Sequence, residues 1–380
     1  MPAEDVPAEE TAAPSPMMSR ALQLANRGLG ATGTNPMVGC VLVDADGTIV
    51  GEGFHEWFGG PHAERNALAA ADDRDLSAAT LYVTLEPCSH HGKTPPCADA
   101  VIASGVRKVV AAMQDPNPDV SGRGFDAIRA AGIEVEVGDG ATEARRLNAA
   151  FLKRLATGRP YVIAKYAMTL DGRVASRTGH SKWISGTESR LLVHQLRGTC
   201  DAILTGIGTV QADDPLLTAR PPGPAGCSRY IIDPAGQLPP DSQLTRTAAE
   251  TRTAAFVREG VALNVPHVEA IAIEPGGDGS LPIDAVLTTL ADRGVARLFL
   301  EAGGRTIGRF FDAAAIDEWH VFIAPKLVGG RDAPGPIGGQ GRERVPDRPD
   351  LLDAVVERTG DDVYVRGLTP RPWLEANPGD

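Results

Sequence analysis

At 380 residues the chain is longer than one hydrophobic core usually serves, which predicts two domains. Its composition, 42% hydrophobic and 23% charged, is that of an ordinary globular protein. With 37 basic against 49 acidic residues the net charge is −12, which argues against DNA or RNA as a partner but leaves room for a basic pocket around one small phosphorylated molecule.

Residues 1–16 are rich in Ala, Glu and Pro and carry no basic side chain. They are expected to be a disordered, solvated tail, and they lack the basic start and apolar core of a secretory leader. A helix is expected over 17–29, with Met18, Ala21, Leu22, Ala25 and Leu29 on one face. Strands over 38–43 and 48–53 follow, joined at Asp46-Gly47. A second helix opens near Pro61 and His62, where proline suits a first turn. A strand over 80–85 leads into the stretch from Cys88 to Cys97. Then come a helix over 98–103, a strand over 108–112, a helix over 124–131 and a strand over 133–137. One long helix over 141–155, with Ala144, Leu147, Phe151 and Leu155 on one face, runs out to Gly158-Arg159-Pro160. That tripeptide marks the expected boundary between domains at 17–158 and 159–370, with a short tail over 371–380.

The second half alternates again. Strands are expected over 161–167, 202–205, 229–232, 254–257, 270–273, 297–301 and 318–324, and helices over 187–196, 282–293 and 306–313. Proline-rich 220–227 and 331–348 are expected to be long surface loops. The alternation in both halves makes the fold class α/β, without an internal repeat. Apolar runs such as Val109 to Met113 fall far short of the roughly 20 residues that cross a bilayer, so no membrane partner is expected. Five cysteines in so long a chain suit metal ligation or reduced thiols, which points to the cytoplasm.

The strongest chemical signal is His62-Ala63-Glu64 with Pro87-Cys88 and Cys97. One imidazole and two thiolates ligate zinc and leave the fourth tetrahedral position to water, whose pKa the metal lowers. Glu64, two residues past His62 at a helix start, can sit beside the metal without ligating it and pass a proton from that water to a departing amine. This order of residues is the known zinc-deaminase pattern, except that eight residues separate the cysteines where two are usual. His90 or His91 offers a fourth ligand for a closed structural site, but such a site has no use for Glu64, so the catalytic reading is preferred. Cys40 is expected in the core, and Cys200 and Cys227 as reduced bystanders. Asn35-Pro36 is either a plain turn or a cradle for a sugar or base.

The second half has no Rossmann G-x-G-x-x-G. Its phosphate-binding candidate is Glu301-Ala302-Gly303-Gly304-Arg305-Thr306, after a strand and opening a helix; a bare turn is the alternative. Arg197 and Arg220 are either phosphate forks or solvated surface charge.

Thr34 to Cys40, Pro61 to Glu64, Val83 to Cys97 with its eight-residue insert, and Gln114-Asp115-Pro116-Asn117-Pro118 together resemble the bifunctional deaminase–reductases of riboflavin biosynthesis, the RibD family. The likeness continues through Lys165 to Ala175, Ser181-Lys182-Trp183-Ile184, Leu204 to Arg220 and Glu301-Ala302-Gly303-Gly304, over roughly 17–370. It implies an N-terminal cytidine-deaminase-like three-layer domain and a C-terminal dihydrofolate-reductase-like α/β domain. It also implies zinc-dependent hydrolysis of the 2-amino group of 2,5-diamino-6-ribosylamino-4(3H)-pyrimidinone 5′-phosphate. His62, Cys88 and Cys97 would then be the ligands, Glu64 the catalytic residue and Asn35 a substrate contact. NADPH would next reduce the ribosyl group of 5-amino-6-(5-phosphoribosylamino)uracil to ribityl. Carried over by resemblance, Ser181, Arg197, Leu217, Arg220 and Glu301 would touch this substrate. Ala167, Trp183, Thr209, Asp213, Gly303, Gly304, Arg305, Thr306, Ile307, Gly308 and Arg309 would face NADPH. A homo-oligomer, dimer or larger, is implied as well. Two positions depart from the pattern: Thr34 replaces a common histidine, and Pro234 replaces a small hydroxyl residue near the cofactor. The competing expectation is a deaminase whose second domain only binds ligand.

Overall fold

The computed structural model describes residues 13–89, 95–117, 120–224, 226–370 and 373. The tail over 1–12, His90, His91 and most of 371–380 lie outside the described residues. The chain divides into two compact units, the first ending at Leu155 and the second starting at Ala156. No helix among the described residues is long and apolar enough to cross a membrane.

The first unit runs α1 (Pro16–Asn26), β1 (Gly39–Val43), β2 (Ile49–Phe54), α2 (Ala63–Ala71), β3 (Thr80–Val83), α3 (Cys97–Ser104), β4 (Lys108–Ala111), α4 (Arg123–Ala130), β5 (Glu134–Val137) and α5 (Ala141–Leu147), followed by α6 (Ala149–Thr157). Ser15 caps α1 by accepting from Met18 N, and Pro16 supplies the preset first turn. The sheet order is β2-β1-β3-β4-β5, with β1 antiparallel to both neighbours and the rest parallel. β1 is buried along its whole length because helices cover both faces. On one face a Cβ at Gly51 or Gly53 would collide with the backbone of Ala67 and Ala63, so these glycines let α2 lie directly on β2. That close seat sets the height of the α2 N-terminus, where His62 and Glu64 stand.

The single helix expected over 141–155 is two helices that part at Asn148. The apolar spacing does run on, but Asn148 is 2% exposed and its amide turns inward. Met37 N donates to Asn148 Oδ1 at 2.7 Å, and Asn148 Nδ2 donates to Met37 O at 3.0 Å. Both Met37 groups would otherwise be buried without partners. Asn148→Leu is therefore expected to destabilise the first unit by about 2–4 kcal/mol. Calorimetry checks this as a lower first-unit transition, with the second-unit transition unmoved.

The second unit runs β6 (Tyr161–Thr169), α7 (Thr187–Gly198), β7 (Ala202–Gly206), α8 (Ile207–Asp213), β8 (Ser228–Ile232), α9 (Gln243–Arg246), β9 (Thr253–Arg258), β10 (Val268–Ile273), α10 (Ile283–Asp292), β11 (Arg297–Leu300), α11 (Gly304–Asp312), β12 (Glu318–Ala324), β13 (Leu352–Thr359) and β14 (Asp362–Leu368). The sheet order is β10-β9-β8-β7-β11-β6-β12-β14-β13, parallel from β10 to β12 and antiparallel at the β14–β13 edge. Val286, Leu287 and Leu290 of α10 and Phe310 of α11 pack into one core with Leu204, Phe256 and Leu298 of the strands. The edge hairpin and α8 were not expected. β13 is exposed over most of its length, so it lacks the alternation that marks a half-buried strand.

Candidate active sites

His62 is the N-cap residue of α2, Glu64 lies in its first turn, and Cys97 opens α3 after Pro96. The donor atoms of His62, Cys88 and Cys97 all lie within 4.8 Å of one another. His62 Nδ1 stands 3.5 Å from Cys88 Sγ and 3.3 Å from Cys97 Sγ. The long separation of the cysteines is closed locally. Cys97 N donates to Cys88 Sγ at 3.3 Å and Ala98 N to Cys88 O at 3.1 Å. One imidazole nitrogen and two sulfurs converging on one point form a zinc donor set with one position left over, so these residues fit the metal. The hydrogen bond from Cys97 pulls the Cys88 thiol down, aided by His62. The same bond and burial push Cys97 up. A shared proton of this kind is what a bound cation displaces. Glu64 is 3% exposed, and burial pushes its carboxyl up to about 7.

Two residues that sequence reasoning missed shape this site. Glu86, 3% exposed, accepts from the backbone N–H groups of Asp115, Gly122 and Gly124 at 2.9–3.0 Å, which anchors the chain two residues before Cys88. The Gln114-Asp115-Pro116-Asn117 run contributes one of these donors, Asp115 N, and Asp115 Oδ1 in turn accepts from Asn117 N at 2.9 Å. His55, also 3% exposed, lies edge-on to His62 with ring centroids 5.4 Å apart. Its Nδ1 donates to Pro61 O at 3.0 Å, so Nε2 accepts from Asn35 Nδ2 at 3.1 Å. Burial lowers the His55 pKa, which favours this neutral form. Asn35 is thereby held with Oδ1 as its acceptor.

In the second unit a cleft of about 1940 Å³ opens at the carboxyl ends of β6, β7, β8 and β11, where ligands bind parallel sheets. Glu301 sits between two cations. Lys165 Nζ donates to Oε1 at 3.1 Å, and Arg197 donates to Oε2 through Nε at 2.9 Å. Burial opposes ionisation of Glu301, but Lys165 and Arg197 outweigh it and hold the carboxyl at about 2. Because this native value lies below the unfolded one, the unfolded chain binds more protons between pH about 4.5 and 2. The pair's contribution is thus present above that window and lost as pH falls through it, on the order of 3 kcal/mol. Denaturant titrations of wild type and Glu301→Gln should show the variant with the flatter acid slope.

The chain matches two family models: the cytidine and deoxycytidylate deaminase zinc-binding region over residues 13–113, and the RibD C-terminal domain over residues 160–365. It is 41% identical to the riboflavin biosynthesis protein RibD of Actinobacillus pleuropneumoniae, over 92% of this chain and 93% of that protein. With RibD of Escherichia coli the identity is 42%, over 91% and 96%. The chain belongs to the RibD family. A crystal structure of a diaminohydroxyphosphoribosylaminopyrimidine deaminase/5-amino-6-(5-phosphoribosylamino)uracil reductase from Thermotoga maritima is similar with a TM-score of 0.84 and 38% identity, covering 93% of this chain and 98% of that one. The two units accordingly have the cytidine-deaminase-like and dihydrofolate-reductase-like α/β folds of RibD proteins.

Of the residues carried over from RibD proteins, Ser181, Arg197, Leu217, Arg220 and Glu301 all line the cleft, as do Ala167, Trp183, Thr209, Asp213, Gly303, Gly304, Arg305, Thr306 and Arg309. Ser181 Oγ donates to Asp213 Oδ1 at 2.8 Å, and Gly303 N donates to Thr209 Oγ1 at 2.9 Å. Ile307 and Gly308 are not brought to the cleft. Ile307 faces the core, and a Cβ at Gly308 would collide with Gly338. Gly304 likewise lies against Gly335 O, so two of the three glycines serve packing and Gly303 alone is exposed. Pro234 lines the cleft, and its carbonyl accepts from Arg258 Nε at 3.0 Å, which brings a further guanidinium to that wall. Lys165, quoted in a motif but given no role from sequence, proves to be the partner of Glu301.

Proposed function

We propose that His62, Cys88 and Cys97 hold the zinc and Glu64 shuttles the proton in the deaminase unit, and that the Lys165–Glu301–Arg197 cleft carries out the reduction. The chain is a bifunctional enzyme of riboflavin biosynthesis, with a zinc-dependent deaminase unit and an NADPH-dependent reductase unit. The observation that carries the residue assignment is the convergence of three zinc-type donors beside a buried carboxylate at one helix N-terminus.

When bound, zinc supplies the Lewis acidity that makes water nucleophilic near neutral pH. Glu64 takes a proton from the attacking water and delivers it to the departing amine of 2,5-diamino-6-ribosylamino-4(3H)-pyrimidinone 5′-phosphate, so that water and substrate become ammonia and the uracil product. Asn35, fixed by His55, orients the ring through Oδ1. In the second unit Trp183, Thr209, Asp213, Gly303 and Arg305, which line the cleft, would hold NADPH, the α11 N-terminus favouring its phosphate charge. NADPH, when bound, would supply a hydride to the open-chain sugar carbon, and the oxygen would take up a proton from the medium to complete the hydroxyl. Arg197 and Arg220 hold the substrate phosphate and sugar, and the Lys165–Glu301 pair provides the polar end that meets the reacting oxygen. The five free cysteines support a cytoplasmic setting, and the enzyme is expected to work as a homo-oligomer, checked by sedimentation velocity.

The test is a coupled assay on zinc-loaded protein given the diaminopyrimidinone ribosyl phosphate with and without NADPH. Ammonia release in both, and NADPH oxidation only after deamination, supports the assignment. Ammonia without NADPH oxidation would leave the second unit a ligand-binding module. No ammonia would remove the substrate assignment.

A further inference from the structure

We infer that Arg229 is a positioning residue of the reductase site: its buried guanidinium fixes the segment from Asp214 to Arg220 that meets the phosphoribosyl substrate. This rests on the cleft being the reductase site. Arg229 lies in β8, is 0% exposed and is the largest fully buried side chain of the described residues. It does not line the cleft.

All of its partners are neutral. Nη1 donates to Leu216 O at 3.0 Å and to Thr247 Oγ1 at 2.7 Å. Nε and Nη2 share Thr253 Oγ1 at 3.1 and 2.8 Å, and Nη2 also reaches Leu244 O at 3.2 Å and Thr251 O at 3.3 Å. Among the described residues no carboxylate pairs with it. Burial lowers its pKa to about 10, against a weak opposing pull from Glu250. Burying a cation without a counter-ion is costly, and a core meant only for stability is served as well by an apolar side chain. A guanidinium does what no apolar side chain can: its planar donors hold carbonyls from separate stretches of chain at fixed spacing.

The stretch that matters is Leu216. One residue on, buried Leu217 has φ +50, an uncommon conformation for a bulky side chain and one that its neighbours must enforce. Two residues on, Thr218 O accepts from Arg197 Nη1 at 2.9 Å and from His194 Nδ1 at 3.0 Å. The segment is thus drawn between two guanidiniums, with Arg229 holding 216 from the interior and Arg197 holding 218 from the cleft. Its other end is tied to α9, where Gln243 N donates to Asp214 Oδ1 at 2.7 Å, and α9 also supplies the Leu244 carbonyl to Arg229. Arg229 therefore sets where Leu217 and Arg220 stand relative to Arg197 and Glu301.

The test compares full-length wild type with Arg229→Lys, which keeps the charge but cannot span the same carbonyls, and with the milder Thr253→Val, which removes only the shared hydroxyl. Reductase kcat and KM, NADPH affinity by fluorescence, and the deaminase rate of the same preparation are measured. The expected result is a KM for the phosphoribosyl substrate raised about tenfold in Arg229→Lys and about threefold in Thr253→Val, with NADPH affinity and deamination kept. A lower kcat at wild-type KM reports only a smaller folded fraction and overturns the inference. So does a wild-type KM in Thr253→Val if Arg229→Lys does not fold. A wild type that oxidises no NADPH overturns the reductase reading itself, and this inference with it.

Discussion

Glu64→Gln is expected to lower ammonia release by about 10³-fold while leaving zinc content unchanged. The amide keeps the shape of the side chain and its place in the first turn of α2, so the helix and the three donor atoms stay as they are. What is lost is the group that accepts one proton and returns it, and Glu64 is the buried carboxyl that stands beside the donors. Reduction of supplied 5-amino-6-(5-phosphoribosylamino)uracil by NADPH should continue at the wild-type rate. Ammonia release is followed by an enzyme-coupled assay and zinc by elemental analysis. Zinc lost along with activity would make Glu64 a ligand, and activity within tenfold of wild type would make it a bystander.

Glu301→Gln is expected to lower reductase kcat/KM by about 10²-fold and leave deamination intact. Lys165 and Arg197 side chains are 15% and 11% exposed and both turn to this one carboxylate. Without it two partly desolvated cations face each other. Removing one partner from a buried ion pair costs about 3–5 kcal/mol, much of it as the strain of the charges left behind. The site would relax by separating Arg197 from Lys165, and Arg197 also holds Thr218 O. Glu301→Asp keeps the charge and should recover part of the loss. NADPH absorbance during single-substrate turnover measures both variants, and kcat/KM within threefold of wild type would show the triplet to be peripheral to the reaction.

The proposed zinc site was legible because its chemistry leaves little choice. A zinc centre needs imidazole and thiolate donors, and its proton carrier stands at a fixed offset on a helix start, so His62, Cys88 and Cys97 announce themselves by type and Glu64 by its spacing from His62. Most of the helix and strand order was legible for a local reason, since apolar spacing and turn residues act within a few positions, but α8, the β13–β14 hairpin and the break at Asn148 were not. Glycines were harder to read. The pair at 303–304 looks like a phosphate loop, yet Gly304 and Gly308 are glycines because the 335–339 stretch passes over α11.

Length, composition and the apolar period were enough for the α/β class and the expectation of two domains, and the residue types at His62, Cys88 and Cys97 were enough to nominate a zinc donor set, because chain length and donor chemistry can be read without knowing the packing. Other assignments waited for the folded protein. Lys165 meets Glu301 across 136 positions, Asn148 meets Met37 across 111, and Arg229 gathers carbonyls and hydroxyls from three other stretches, at Leu216, at Leu244 and Thr247, and at Thr251 and Thr253. A lone polar residue in an apolar run looks the same in sequence whether it faces water or the interior. Only the packing that removes it from water, and the partners that then become obligatory, decide what it does.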